Sequence, residues 1–393
     1  MKNLIKLLII RLIVNLADSV FYIVALWHVS NNYSSSMFLG IFIAVNYLPD
    51  LLLIFFGPVI DRVNPQKILI ISILVQLAVA VIFLLLLLNQ ISFWVIMSLV
   101  FISVMASSIS YVIEDVLIPQ VVEYDKIVFA NSLFSISYKV LDSIFNSFAS
   151  FLQVAVGFIL LVKIDIGIFL LALFILLLLK FRTSNANIEN FSFKYYKREV
   201  LQGTKFILNN KLLFKTSISL TLINFFYSFQ TVVVPIFSIR YFDGPIFYGI
   251  FLTIAGLGGI LGNMLAPIVI KYLKSNQIVG VFLFLNGSSW LVAIVIKDYT
   301  LSLILFFVCF MSKGVFNIIF NSLYQQIPPH QLLGRVNTTI DSIISFGMPI
   351  GSLVAGTLID LNIELVLIAI SIPYFLFSYI FYTDNGLKEF SIY

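Results

Sequence analysis

Apolar residues along this chain come in long blocks broken by short polar loops. A hydrocarbon core of roughly 30 Å takes about 20 apolar residues per helix. Twelve blocks approach that length, over residues 5–28, 37–60, 68–88, 91–113, 131–160, 166–180, 213–237, 246–270, 277–296, 299–323, 336–359 and 363–382. The pattern predicts an all-α membrane protein with twelve transmembrane helices. The only long polar stretch, Phe181 to Lys215, divides them six and six. The expected organisation is a six-helix bundle over 1–180, a cytoplasmic linker over 181–212 and a second six-helix bundle over 213–393. Within the linker region, Tyr195 to Leu213 sets Val200, Phe206, Ile207 and Leu213 among lysines, which suits a helix lying in the membrane interface. The segment is read as a tether between halves, with lipid binding or regulation as the alternative. The segments Ser30–Ser36, Asn89–Ser92 and Lys163–Asp165, read as outer loops, are too short to build a binding module.

The two halves repeat one another. "FLGIF" at Phe38 to Phe42 returns as "FYGIF" at Phe247 to Phe251, an offset of 209 residues, and each opens a long apolar segment with a proline near its far end. At the same offset Asn15 and Ser19 meet Asn224 and Ser228, Pro58 meets Pro267, and Arg62 meets Lys271. Further along the spacing slips by three, so that Asn131 meets Asn337. Unequal loops between duplicated halves produce such a drift. Parallel repeats about an axis normal to the membrane predict two bundles related by a pseudo-twofold axis, with substrate held between them.

Composition agrees: 61% of residues are hydrophobic and 10% charged, against roughly a quarter charged in soluble domains. The net charge of +5 is no argument for a nucleic-acid partner, because basic residues in membrane proteins follow topology. With the N-terminus inside, Arg62, Lys67, Lys126, the cluster from Lys180 to Lys215, Lys271, Lys274, Arg335 and Lys388 fall on the cytoplasmic side. Only Lys163, Arg240 and Lys297 fall outside, so both termini are expected in the cytoplasm of a cell-membrane protein. The opening "MKNLIKLLII" starts like a secretory signal, but Arg11 and Asp18 interrupt it, and it reads as the first spanning helix. The single cysteine, Cys309, lies inside a predicted span and excludes a disulfide framework. The two histidines, His28 and His330, are predicted on opposite sides of the membrane, and no metal, nucleophile or phosphate-cradling motif occurs in a fitting context. No enzyme and no cofactor is expected.

Ionisable residues inside the spans carry the chemistry. Each costs roughly 2.5–3.5 kcal/mol at a helix centre by insertion scales, so it faces a cavity or a partner. On the first helix Arg11, Asn15, Asp18 and Tyr22 recur at steps of four, three and four and form one stripe. Either Asp18 exchanges a proton or binds a cationic group while Arg11 favours its charged form, or the two are a structural pair with Arg11 reaching the inner surface. The repeat partner, the seventh helix, has Asn224, Tyr227, Ser228 and Thr231 on a comparable stripe, expected to line the same cavity. Asp50, after Pro49 in the second span, is a second candidate for protonation. Lys139 and Asp142 lie one turn apart on the fifth helix, where mutual neutralisation competes with a coupling role. Lys313 and Asp341 lie in the second half. Glu114, Asp115, Glu123 and Asp125 gather at the cytoplasmic end of the fourth helix, where a solvated loop is expected.

After the second span comes "GPVIDRVNPQK", Gly57 to Lys67, which resembles the cytoplasmic signature of the major facilitator superfamily. Gly57 permits close packing, Asp61 can meet a helix N-terminus, and Arg62 and Lys67 anchor the loop. In that family the aspartate contacts the eleventh helix, and Asn64 stands where the family usually has glycine. "LIPQVVEYDKIVFANSL" at Leu117 to Leu133 and "QQIPPHQLLGRVNTTIDSIISFGMPIGSLVAGTLID" at Gln325 to Asp360 resemble the bacterial macrolide-efflux and enterobactin-export branch. The resemblance runs over essentially the whole chain. It implies the major facilitator fold and a conformational-switch loop at Gly57, Asp61, Arg62 and Lys67. It also implies export of a small amphipathic molecule by alternating access, usually in exchange for protons, by a monomer in the bilayer. Two features depart from drug-proton antiporters: the fourth helix carries no arginine, and the fifth lacks their glycine-proline run. A related run, "GMPIGSLVAG", stands instead in the eleventh, where packing would explain it. A proton-driven importer and a non-transporting sensor or assembly factor are the competing expectations.

Overall fold

The computed structural model describes residues 2–60, 64–87, 92–121, 134, 141–178, 193–329 and 332–390. The helices are α1 (Lys2–Asn32), α2 (Ser36–Ile60), α3 (Pro65–Leu87), α4 (Phe93–Val121), α5 (Leu141–Leu177), α6 (Phe193–Asn209) and α7 (Lys211–Tyr241). They continue with α8 (Pro245–Ile270), α9 (Ser275–Ile296), α10 (Tyr299–Gln326), α11 (Leu333–Leu361), α12 (Ile363–Ala369), α13 (Ile372–Tyr382) and α14 (Asn385–Glu389). No strand occurs among the described residues. Hydrocarbon dictates this, because backbone polar groups there must be paired internally. Ten helical stretches among the described residues are long and apolar enough to span a membrane, and α2 adds a shorter apolar run, Ser36–Leu52.

One of the ten stretches, α5, accounts for two of the twelve expected passes. Gly157, with φ 77° and ψ 170°, interrupts it and leaves arms over 141–156 and 158–177. Glycine tolerates this left-handed φ without a Cβ clash. The break therefore falls upstream of the expected outer loop. Lys163–Asp165 is helical, and Asp165 is fully buried. A charged tripeptide read as a loop is instead part of a packed helix.

Side chains complete several helix ends. Asn210 accepts from the N–H groups of Leu212 and Leu213 at the start of α7, Asp298 accepts from Leu301 at α10, and Asn362 accepts from Glu364 and Leu365 at α12. These satisfy donors that have no intrahelical acceptor. Asn64 accepts from the Gln66 N–H at the start of α3. Asp384 accepts from Leu387 and pairs with Lys215. Burial works to raise the Asp384 carboxyl, but these contacts outweigh it and hold the group below its usual range.

The chain forms two compact units. The first contains Met1–Ser34, Val45–Asn190 and Pro245–Leu252; the second contains Ser35–Ala44, Phe191–Gly244 and Thr253–Tyr393. In the first, α1 packs on α4 and α5, and α3 on the same two helices. Its core joins Leu7, Ile10 and Val14 to Ile73, Ile113 and Phe169. In the second, α7 packs on α11, and α9 packs on α10 and α13. Polar side chains tie this group together: Trp290 Nε1 donates to the Leu367 carbonyl at 2.9 Å and Asn286 to that of Cys309 at 2.7 Å.

Close helix contacts rest on glycine, as expected where lipid supplies no hydrophobic drive between helices. A Cβ on Gly351 of α11 would lie 2.2 Å from the Phe225 carbonyl oxygen of α7, and one on Gly262 of α8 would lie 2.1 Å from that of Met311. Within the second unit a Cβ on Gly40 would lie 2.6 Å from the Ser352 carbonyl oxygen and 2.9 Å from the Gly356 Cα. Within the first, Gly249 sits against Ser150 and Phe151, and Ser147 donates to its carbonyl at 2.6 Å.

Candidate functional site

The stripe on α1 meets a second polar stripe on α4. Asp18 accepts three hydrogen bonds: from Gln76 Nε2 of α3 at 2.5 Å, Ser107 Oγ at 2.5 Å and the Tyr111 hydroxyl at 2.7 Å. Arg11 forms a salt bridge of 2.6 Å with Glu114, the two side chains being 4% and 1% exposed. The Arg11 guanidinium also lies 3.6 Å from the centre of the Tyr111 ring. Tyr111 thus joins the cation to the Asp18 carboxylate. Ser108, also on α4, donates to Asp50 of α2 at 3.0 Å. Each contact is one a membrane-embedded charge requires, since the unpaired alternative is costly in low dielectric.

The expected partners are therefore rearranged. Arg11 reaches Glu114 rather than a solvated loop holding that acid, because α4 continues as helix to Val121. Asn15 is buried, and Tyr22 is partly buried within electrostatic reach of Tyr47, Tyr248 and Asp142. Asp50 and Asp142 are exposed residues, and Asn146 donates to Asp142 at 3.3 Å. Lys139, Asp61 and Arg62 lie outside the described residues. The Gly57 backbone belongs to α2, and Lys67 is exposed in the first turn of α3. Spacing had a signal for the missed members, since Ser107, Tyr111 and Glu114 repeat the four-then-three rhythm of α1. Asp165 had none. It is fully buried, and neither carboxyl oxygen has a hydrogen-bond partner among the described residues.

In the second unit the stripe on α7 divides. Ser228 is fully buried against Gly351, and Asn224 donates to the Ile344 carbonyl at 3.3 Å, so both serve the seam with α11. Tyr227 and Thr231 keep partial exposure. Lys313 of α10 places its Nζ 3.3 Å from the centre of the Tyr227 ring.

Comparison with known proteins fixes the family. The profile of the Major Facilitator Superfamily matches residues 7–352. This chain belongs to that superfamily. Curated relatives include Macrolide efflux protein A of Streptococcus pyogenes, 26% identical over 42% of this chain and 41% of the relative, and its namesake in Enterococcus faecalis, 27% identical over 39% and 49%. The match spans less than half the length of each relative. Among solved structures, the nucleoside transporter NupG superposes with a TM-score of 0.73 at 14% identity over 100% of both chains. A POT family transporter in complex with 5-aminolevulinic acid gives 0.74 at 11% identity over 96% of this chain and 95% of the other. As a superfamily member with ten helical stretches long and apolar enough to span a membrane among the described residues, the chain is a multi-pass membrane protein. The solved neighbours bear on the fold alone.

Proposed function

We propose that the protein exports a small amphipathic or hydrophobic molecule, macrolide-like or siderophore-like, by alternating access in exchange for protons. It acts as a monomer in the cell membrane with both termini in the cytoplasm. The two duplicated six-helix halves run over 1–180 and 213–393 along the chain, joined by the linker at 181–212. Asp18 is the coupling group. The observation that carries this reading is its setting: a carboxylate within a membrane span, met by three side-chain donors of which two are hydroxyls, and joined through Tyr111 to the Arg11–Glu114 pair. Such a carboxylate can trade its hydrogen bonds for a proton without leaving an unscreened charge in hydrocarbon. Asp50 and Asp142 are the further candidates for the same task. The names of the curated relatives favour efflux over uptake.

In inside-out vesicles carrying a proton gradient, the parent protein accumulates a labelled macrolide, a hydrophobic dye or a siderophore, and a protonophore abolishes this. Asp18→Asn should reduce gradient-driven uptake at least tenfold at an unchanged amount of protein in the membrane. Equal pH-dependent uptake by mutant and parent removes Asp18 from the mechanism. Accumulation in the opposite orientation identifies an importer.

A further inference from the structure

Lys313 is the one charged residue of α10 and stands near the middle of that 28-residue helix. At about 1.5 Å per residue, some 20 Å of helix separates it from either end. A lysine side chain cannot bring its ammonium to the headgroups from that depth, as it does near a helix terminus. Among the described residues Lys313 makes no hydrogen bond or salt bridge, and its ammonium lies against the ring of Tyr227. The other titratable neighbours in electrostatic reach are the Cys309 thiol and, through Tyr227, Tyr374. Three carboxylates of the unit are engaged elsewhere: Asp360 by Ser35, Glu364 by Lys297, and Asp384 by Lys215.

A cation over an aromatic face is attracted by the ring quadrupole, but the contact leaves all three N–H donors unspent. Two further donors are open on the same helices. Asn317, one turn beyond Lys313 and half-buried, makes no hydrogen bond with a described residue. Gln230, one turn beyond Tyr227 and buried to 4% exposure, has an Nε2 without an acceptor. An ammonium group with surplus donors at membrane depth is complementary to an anion rich in acceptors.

We propose that Lys313, backed by Tyr227 and flanked by Asn317 and Gln230, recognises the anionic head of an amphipathic substrate, a carboxylate in the first instance. The inference rests on the transporter reading and names a substrate class for it. The purified protein in nanodiscs is tested for binding of three amphipathic acids of different body, cholate, decanoate and 4-phenylbenzoate, each beside its methyl ester. At least one acid binds saturably and about tenfold more tightly than its ester. Lys313→Arg keeps that preference, and Lys313→Met levels it, with Tyr227→Leu as a second variant should Lys313→Met fail to fold. Absence of any acid-over-ester preference in the parent protein, or its survival in Lys313→Met, overturns the proposal. Because binding in nanodiscs needs no gradient, this failure is distinct from that of the exporter reading. Macrolide accumulation in vesicles without acid binding would leave the exporter standing and remove the anion site.

Discussion

At the scale of single residues, the Arg11–Glu114 pair shows what a bilayer demands of charge. Both side chains are nearly inaccessible and 2.6 Å apart. Breaking a buried pair by removing one partner costs about 3–5 kcal/mol, whereas removing both is often much milder. Arg11→Met and Glu114→Gln should each lower the thermal stability of the purified protein by an amount in that range, and the double variant should recover part of the loss. Heating followed by size-exclusion chromatography reads this directly. Single variants as stable as the parent would mean the pair is solvated after all. Arg11 was legible as part of a stripe because its spacing on α1 is a local property. Its partner was not, because two acids at 114 and 115 look like the end of a span. Only the fold shows that α4 continues and that Glu114 turns inward.

At the scale of elements, glycine decides how closely helices approach. The run Gly347 to Gly356 was read as packing, and Gly347, Gly351 and Gly356 each lie where a Cβ would strike a neighbouring backbone. The sequence could not say which neighbour. Helical spacing defines a face, but α7 is packed along much of its length, so its polar stripe served the α11 seam at Asn224 and Ser228 while Tyr227 turned elsewhere. Gly351→Val should be the most damaging change in this seam, since the obstacles are the Phe225 carbonyl oxygen and the Ser228 hydroxyl, both at 2.2 Å. Overpacking costs typically 1–3 kcal/mol, and more where backbone must move. Gly259→Ala is the matched control, because nothing lies within 4 Å of its added methyl. The expected outcome is loss of monodisperse protein for Gly351→Val with near-parental yield for Gly259→Ala. Equal yields would show that α7 and α11 are not held as closely as described.

At the scale of the whole molecule, the most visible repeat in the sequence marks the exchanged segments. "FLGIF" lies within Ser35–Ala44, which belongs to the second unit, and "FYGIF" within Pro245–Leu252, which belongs to the first. Their central glycines make related contacts, Gly40 with Gly356 and Gly249 with Ser150. The partners themselves are 206 residues apart, the offset of 209 less the slip of three. Duplication was legible because it leaves a linear record; the exchange was not, because a segment's spatial neighbours leave no mark on its own spacing. The exchange carries a consequence for the divided chain. Residues 1–192 and 193–393, made as separate chains in one cell, should co-purify, because each supplies a helical segment that the other's unit packs around. Gly40→Leu in the first chain should then weaken recovery of the second, since the added side chain meets the backbone of Ser352 and Gly356 at under 3 Å. Gly167→Leu, whose Cβ meets nothing within 4 Å, should leave recovery unchanged. If the 193–393 chain is equally abundant and stable alone, or if Gly40→Leu has no effect on its capture, residues 35–44 are not part of the second unit's packing.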